Sequence, residues 1–296
     1  MNSRPTAEHA ETAQTGADRT DTGSTGAGWT DTVWRPVDGL RARIYRPAGD
    51  PPVWAVGAAV VDVHGGAWAS RDLTLGHTYN LTLAAAGLTV VAVDFRDGRQ
   101  ARHPAAVDDV ADAVRWVQEG AGLDVDPERL ALTGSSSGGH LALHAALTHL
   151  DDTPPALVAA LWPPVDPLGR YRYARSMVGR PVPPGNRLDA AGLVASTEAY
   201  FGDEAAMERA SIAGVVRSGR ARHLPPVWLA EAGADLNVPA ALLDDLVLAY
   251  RDAGGTIERT VYPDEIHGFG HGPHPGAERF RADLTERLRV ALRPRA

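Results

Sequence analysis

Residues 130–147 constrain the chain more than any other stretch. The apolar, β-type run Leu130-Ala131-Leu132-Thr133 ends in Gly134-Ser135-Ser136-Ser137-Gly138-Gly139-His140. It passes at once into an apolar helical pattern of Leu141, Leu143, Ala145 and Leu147. Strand, tight turn and helix in that order are what an exposed serine nucleophile on a sharp turn requires. Only small residues fit two places before and after such a serine. The helix that follows aims its N-terminal amides at the turn and favours negative charge there. Gly134, Gly138 and Gly139 meet the steric demand, and Ser136 takes the central position. Taken alone, Gly-x-Ser-x-Gly is also an ordinary Ser/Gly-rich turn, so the rest of the chain has to decide.

Composition narrows the chemistry. The 296 residues, 44% hydrophobic, suit one large α/β domain or two small ones with ample material for a core. A net charge of −8 argues against nucleic acid or an anionic membrane surface as partner. No cysteine is present, so there is no disulfide framework, thiolate nucleophile or cysteine-ligated zinc. There is also no lysine, so all 29 basic residues are arginine, which removes a Schiff-base lysine, a Walker-type phosphate loop and a Ser-Lys dyad. A serine nucleophile here must take histidine, or less naturally a carboxylate, as its base.

Residues 1–28 are rich in Thr, Ala, Gly, Asp and Glu without apolar periodicity and read as a disordered tail. They lack the apolar core of a signal peptide, and no run is long enough to span a membrane, so the expectation is a cytoplasmic protein without stable membrane insertion. Asn80-Leu81-Thr82 is a chance match to a glycosylation acceptor. Residues 29–296 form the folded body. Stretches 33–37 and 40–45 flank Asp38-Gly39 as a hairpin. Residues 58–63 read as a strand buried on both faces except at Asp62. Then come a helix over 73–86, a strand over 88–95, and a helix opened by Pro104 whose Val107, Val110, Val114 and Val117 share one face. The helix after Ser136 runs to about residue 150, and a buried strand covers 157–162. Regularity fails over 163–224, with helical stretches near 190–200 and 204–215. It resumes as strand 226–232, helix 239–253, strand 256–262 and helix 277–292. Alternating strands and helices predict a mainly parallel sheet with helices on both faces. The irregular segment is then a cap inserted over the strand ends, where ligands of such sheets bind.

The remaining parts of an acyl-transfer site follow in order. His64-Gly65-Gly66-Ala67 leaves a buried strand, and its small residues let backbone amides approach a developing oxyanion. Asp235 follows strand 226–232 and can orient an imidazole, although an Asp there also reads as a helix N-cap. His267 follows the next strand. The order Ser136, Asp235, His267 is that of a strand-end triad. Asp264 and Glu265 compete as the acid, but lie so near His267 in sequence that a shared strand-end geometry is less natural. His140 and His144 have a metal-compatible spacing, as do His267, His271 and His274, yet packing and a Gly/Pro loop explain them more simply. No metal or organic cofactor is called for.

With those motifs the chain resembles the hormone-sensitive-lipase-like branch of the α/β-hydrolases. The resemblance covers about residues 58–292. It rests on His64-Gly-Gly-Ala-Trp, Asp94-Phe-Arg with His103-Pro-Ala-Ala-Val-Asp-Asp, Gly134-Ser-Ser-Ser-Gly-Gly, Leu224-Pro-Pro and His267-Gly-Phe. It implies an α/β-hydrolase fold, Ser136 as nucleophile, His267 as base and Asp235 as acid, with an oxyanion hole from the amides of Gly66, Ala67 and Ser137. Ala67 stands where the family usually has a third glycine, and Ser135 and Ser137 flank the nucleophile where Asp and Ala are common. Trp68, Trp162, Tyr171, Tyr173, Met177, Tyr200 and Phe201 are candidate pocket walls, with Trp68, Trp162, Tyr200 and Phe201 as the substrate-binding set. They read equally as cap core. The expected activity is hydrolysis of a small-molecule carboxylic ester through an acyl-enzyme. The alternatives are a kynurenine-formamidase-like amide hydrolase, an acyl-transfer or lyase enzyme on the same fold, and a small-molecule receptor like the plant gibberellin receptors. Self-association into a homo-oligomer is left open.

Overall fold

The computed structural model describes Arg19–Thr20 and residues 26–294. Most of the stretch expected as a tail lies outside these residues. Within it, Arg19–Thr20 (β1) pairs antiparallel with the next strand, Arg19 opposite Trp29.

That strand, Gly28–Arg35 (β2), begins five residues before the expected hairpin and pairs with Leu40–Arg46 (β3) from Gly28 opposite Arg46 onward. Asp38-Gly39 makes the expected turn, Gly39 taking a left-handed φ of 61°. The parallel strands follow as Ala59–Val63 (β4), Thr89–Val93 (β5), Leu130–Ser135 (β6), Val158–Leu161 (β7), Val227–Ala232 (β8) and Ile257–Tyr262 (β9). The sheet order is β1-β2-β3-β5-β4-β6-β7-β8-β9, parallel from β5 to β9.

Helices cover both faces, as a parallel sheet buried on both sides demands. His77–Ala85 (α1) starts four residues later than periodicity predicts, because Asp72 first folds a turn by accepting from the Thr74 amide at 2.8 Å. Ala105–Gln118 (α2) buries Val107, Val110, Val114 and Val117 as one stripe. Ser137–Thr148 (α3) is buried over nearly its whole length. Alternate strand residues serve opposite cores: Val61, Val91 and Leu132 pack with α2 and α3, whereas Val60, Val90 and Ala131 pack with α1 and the C-terminal helix. Asp62 has an account too. Its carboxylate accepts from Thr133 Oγ1 at 2.7 Å, Asn80 Nδ2 at 2.8 Å and Tyr79 Oη at 3.1 Å, tying β4, β6 and α1 together. Burial pushes that carboxyl up from its ordinary value. Asn80 is buried in this cluster, which removes it as a glycosylation site.

The segment 163–224, expected as a cap, is more helical than its sequence pattern suggests. Pro167–Met177 (α4), Ala190–Phe201 (α5), Glu204–Arg209 (α6) and Ile212–Arg217 (α7) each start at a side-chain cap. Asp166, Asp189, Asp203 and Ser211 accept from the amide three residues on. The single helix expected over 204–215 is therefore two, divided where Ser211 caps the second. Ala241–Asp252 (α8) and Pro275–Ala291 (α9) complete the fold.

One backbone contact fixes the turn before α3. A Cβ on Gly138 would sit far inside contact distance of the Val63 and His64 carbonyl oxygens at the end of β4. Gly138→Ala should therefore push α3 away from the sheet and cost roughly 3 kcal/mol or more. The check is urea unfolding, and an unchanged midpoint would contradict it.

Two buried histidines, His140 and His144, lie on α3 with the half-buried His103 beside them. His140 Nε2 donates to the Ala210 carbonyl at 2.9 Å, and its ring lies 5.9 Å from His144, which lies 5.2 Å from His103. Burial pushes His140 down to about 3, His103 to about 4 and His144 well below its ordinary value. Unfolded, each ring titrates near the usual 6.5. As pH falls below that value the unfolded chain takes up protons that the native state refuses. The stability is thus whole above about pH 6.5 and is lost progressively toward about pH 4. The urea midpoint should drop steadily from pH 7 to pH 4.5, and His144→Leu should make the drop shallower. An equally steep fall in the variant would exclude His144 as a contributor.

Candidate active site

The C-terminal ends of β4, β6, β8 and β9 bring the candidate groups together. Ser136 follows β6 with φ 51° and ψ −124°, a conformation costly for any residue with a Cβ. The turn is held open by the Ser136 amide donating to Leu161 O at 2.8 Å, and α3 starts at the next residue.

His267 reaches Ser136 from the loop after β9. Its Nε2 lies 2.9 Å from Ser136 Oγ, and its Nδ1 lies 2.7 Å from Asp235 Oδ2. An ionised carboxylate only accepts, so Nδ1 carries the hydrogen and Nε2 presents its lone pair to the serine hydroxyl. Asp235 is fixed from its other oxygen, where Oδ1 accepts from the amides of Asn237 at 2.6 Å and Val238 at 3.0 Å. Asp235 does not cap the following helix, which starts at Ala241 without a side-chain cap; its second oxygen instead folds its own loop. The two loops are pinned to each other by Ala234 N donating to Glu265 O at 2.9 Å. Of the competing acids, Glu265 pairs instead with His274 at 3.6 Å. The carboxylate side chain of Asp235 is almost sealed from solvent, while His267 keeps 19% exposure.

The loop after β4 lies directly against Ser136. A Cβ on Gly65 would meet Ser136 Cβ at 3.2 Å and Ser135 O at 3.0 Å. Gly66 has φ 120°, and a side chain there would collide with Ser70 Oγ. Ala67 and Trp68 follow with φ 52° and 59°. Among the described residues, five non-glycine residues have such a φ. Four of them, Ala67, Trp68, Ser136 and Trp162, sit at the ends of β4, β6 and β7 around the site, as strained backbone tends to. Sequence gave no signal for this at Trp68 or Trp162.

The loop has a brace that motif reading did not resolve. His64 stacks on Phe95 at 4.5 Å, its Nδ1 bonds Gly65 O at 2.7 Å, and its Nε2 lies 3.7 Å from Asp94 Oδ1. Arg71 donates to Asp94 Oδ2 at 3.0 Å and to Gly39 O at 2.8 Å. Burial alone would push the Asp94 carboxyl up, but His64 and Arg71 outweigh it and hold the group below the usual carboxylate range.

The four expected substrate-contacting aromatics are not brought together. Trp68, Tyr200 and Phe201 form one stack, with Trp68 parallel to Tyr200 at 5.9 Å and edge-on to Phe201 at 5.0 Å. Trp162 lies in the other core, against Phe269 at 5.0 Å and Phe280 at 5.3 Å. The strand pleat sends it to the opposite face of the sheet. All four are buried, so in this conformation they hold the loops and the cap rather than offer a face to a ligand. Tyr171 is likewise buried, with its hydroxyl donating to Glu198 at 2.5 Å.

The histidines weighed as metal ligands have other partners. His140 and His144 belong to the buried cluster under the cap. Among the described residues, no group of three or more His, Cys, Asp or Glu side chains is arranged to hold a metal ion. No helix among those residues is long and apolar enough to cross a membrane.

Comparison with known proteins gives the same architecture. A family model for the alpha/beta hydrolase fold matches residues 60–271. The carboxylesterase NlhH of Mycobacterium tuberculosis is 30% identical over 247 residues, covering 78% of this chain and 72% of that protein. Esterase LipI of the same species is 29% identical over 269 residues, covering 87% and 79%. Ethyl acetate hydrolase of Pseudomonas putida is 44% identical, but over 105 residues that span 35% of this chain and 33% of that protein. Among solved structures, esterase LipW of Mycobacterium marinum superposes with a TM-score of 0.73 at 27% identity, covering 92% of this chain and 84% of that one. With a family match across most of its length and a sheet and strand-end site to go with it, the chain belongs to the α/β-hydrolase family, in its hormone-sensitive-lipase-like esterase branch.

Proposed function

We propose that the protein is a carboxylesterase-type serine hydrolase that cleaves a small-molecule carboxylic ester through an acyl-enzyme on Ser136. The observation that carries this reading is the unbroken hydrogen-bonded line Asp235–His267–Ser136 at 2.7 and 2.9 Å.

His267 Nε2 takes the Ser136 Oγ proton as Oγ attacks the ester carbonyl. Charge builds on the carbonyl oxygen, where the amides of Gly66, Ala67 and Ser137 serve as the oxyanion hole. Preformed donors of this kind need little reorganisation as the charge develops, so the strained backbone at Ala67 does useful work in advance. Asp235 holds His267 in the required tautomer and stabilises the imidazolium. His267 returns the proton to the departing alcohol, and Ser136 is left acylated. A water deprotonated by His267 then attacks the acyl carbonyl, His267 passes that proton to Ser136 Oγ as the acyl bond breaks, and the acid leaves. Trp68, Tyr200 and Phe201 back the loop that carries Gly66 and Ala67, which explains how buried rings influence the acyl side without touching it.

The test uses p-nitrophenyl esters of increasing acyl length beside N-formylkynurenine. Wild type should cleave a short ester in preference to the formamide. Ser136→Ala and His267→Ala, each checked for folding, should lower kcat/KM by roughly a millionfold, and Asp235→Asn by roughly ten-thousandfold. Preferential cleavage of the formamide would move the assignment to an amide hydrolase. Ester turnover that survives Ser136→Ala would remove the triad.

A further inference from the structure

Arg170 lies in the first turns of α4, and only 2% of its surface is accessible. Taking a guanidinium out of water is costly unless anions or several acceptors replace the solvent. Arg170 has one hydrogen bond, Nε donating to Asn237 O at 3.1 Å. Its two terminal nitrogens have no hydrogen-bond or carboxylate partner among the described residues. The other contact is the face of Trp68, whose ring centroid lies 5.6 Å from the guanidinium carbon. The one carboxylate whose charge bears on it is Asp235, and both Asp235 oxygens are already taken by His267, Asn237 and Val238.

The position matters as much as the missing partner. Trp68 ends the loop that packs against Ser136, and Asn237 belongs to the loop that holds the catalytic acid. The guanidinium therefore bridges the two loops that bracket the nucleophile. Its donor fork is built for bidentate contact with a planar anion. Tyr173, three residues further along α4 and on the same face, also feels the Asp235 charge.

We propose that Arg170 is a specificity residue that binds a carboxylate on the substrate, so that the preferred ester is an anionic half-ester. This rests on the hydrolase reading and adds a substrate class to it. It explains why the cap keeps an uncompensated cation beneath it: the compensating charge arrives with the ligand. The rival account is a brace, in which Nε on Asn237 O serves only to hold the acid loop.

The experiment compares three esters: neutral p-nitrophenyl butyrate, p-nitrophenyl hemiglutarate with the anion on the acyl side, and the butyrate ester of 4-hydroxybenzoate with the anion on the leaving group. Wild type should prefer one of the anionic esters, and which one locates the carboxylate. Arg170→Met should lower kcat/KM for that ester about 10- to 100-fold more than for neutral butyrate, mostly through KM, as expected for a lost charge-assisted pair. Arg170→Lys should recover part of the difference. Free glutarate should bind wild type and not Arg170→Met by calorimetry, a readout that needs neither turnover nor an intact triad. Equal losses on all three esters would mean a brace and overturn the proposal, as would wild type with no anionic preference or no glutarate binding. Failure of a fluorophosphonate to label Ser136 would instead sink the hydrolase reading, with the glutarate measurement still reporting on Arg170.

Discussion

The start of α3 rests against the end of β4 with no room for a side chain between them, and most of the site follows from that contact. Gly138 brings the helix so near the Val63 and His64 carbonyls that the connection from β6 has to turn within one residue. Ser136 is that residue, and its left-handed φ of 51° is the cost of the turn. The same approach sets the loop after β4 beside the nucleophile, since it leaves the sheet from the very residues that Gly138 abuts. The strain is balanced by rigid surroundings: six parallel strands from β5 to β9, a buried helix behind, and the Ser136 amide tied to β7. A looser turn would let Oγ wander out of line with His267.

Polar groups are distributed with matching economy. Asp62, Asp94 and Asp235 are all buried, and each binds a different pair of elements. Asp62 joins two strands to α1, Asp94 joins the hairpin to the loop beside Ser136, and Asp235 joins its own loop to His267. Buried carboxylates persist where donors surround them; Asp62 and Asp235 use both oxygens, whereas Asp94 accepts from Arg71 through Oδ2 and has His64 Nε2 3.7 Å from Oδ1. Arg170 is the exception in kind, a buried cation whose hydrogen bond among the described residues is the one from Nε to Asn237 O. The cap reaches the acid loop through it and through Asn186 Nδ2, which donates to Ala234 O at 2.7 Å. Cap position and acid position are thereby coupled.

Much of this was legible in the sequence. The parallel strands read as short apolar runs because they are buried on both faces, and Gly134-Ser-Ser-Ser-Gly-Gly marks its turn by steric necessity. The order Ser136, Asp235, His267 places each group at a strand end, which is where the structure has them. What escaped has physical causes. The inward face of α4 is Pro167, Arg170, Tyr171 and Ala174, a helical spacing disguised by an arginine. The early part of β2 carries Thr and Asp in a half-exposed strand, so periodicity missed it. The side of the sheet on which Trp162 falls depends on the pleat and on a positive φ that no local pattern announces. Nothing in the local sequence distinguishes Arg170 from the other arginines; its burial does.

The most direct measurement is to trap the acyl-enzyme. Wild-type protein mixed with p-nitrophenyl acetate, quenched during turnover and digested for mass spectrometry should carry an acetyl group on Ser136, and His267→Ala should carry none under the same conditions. Turnover with Ser136 unmodified and the acetyl group on another residue would contradict the assignment of the nucleophile and the chemistry built on it.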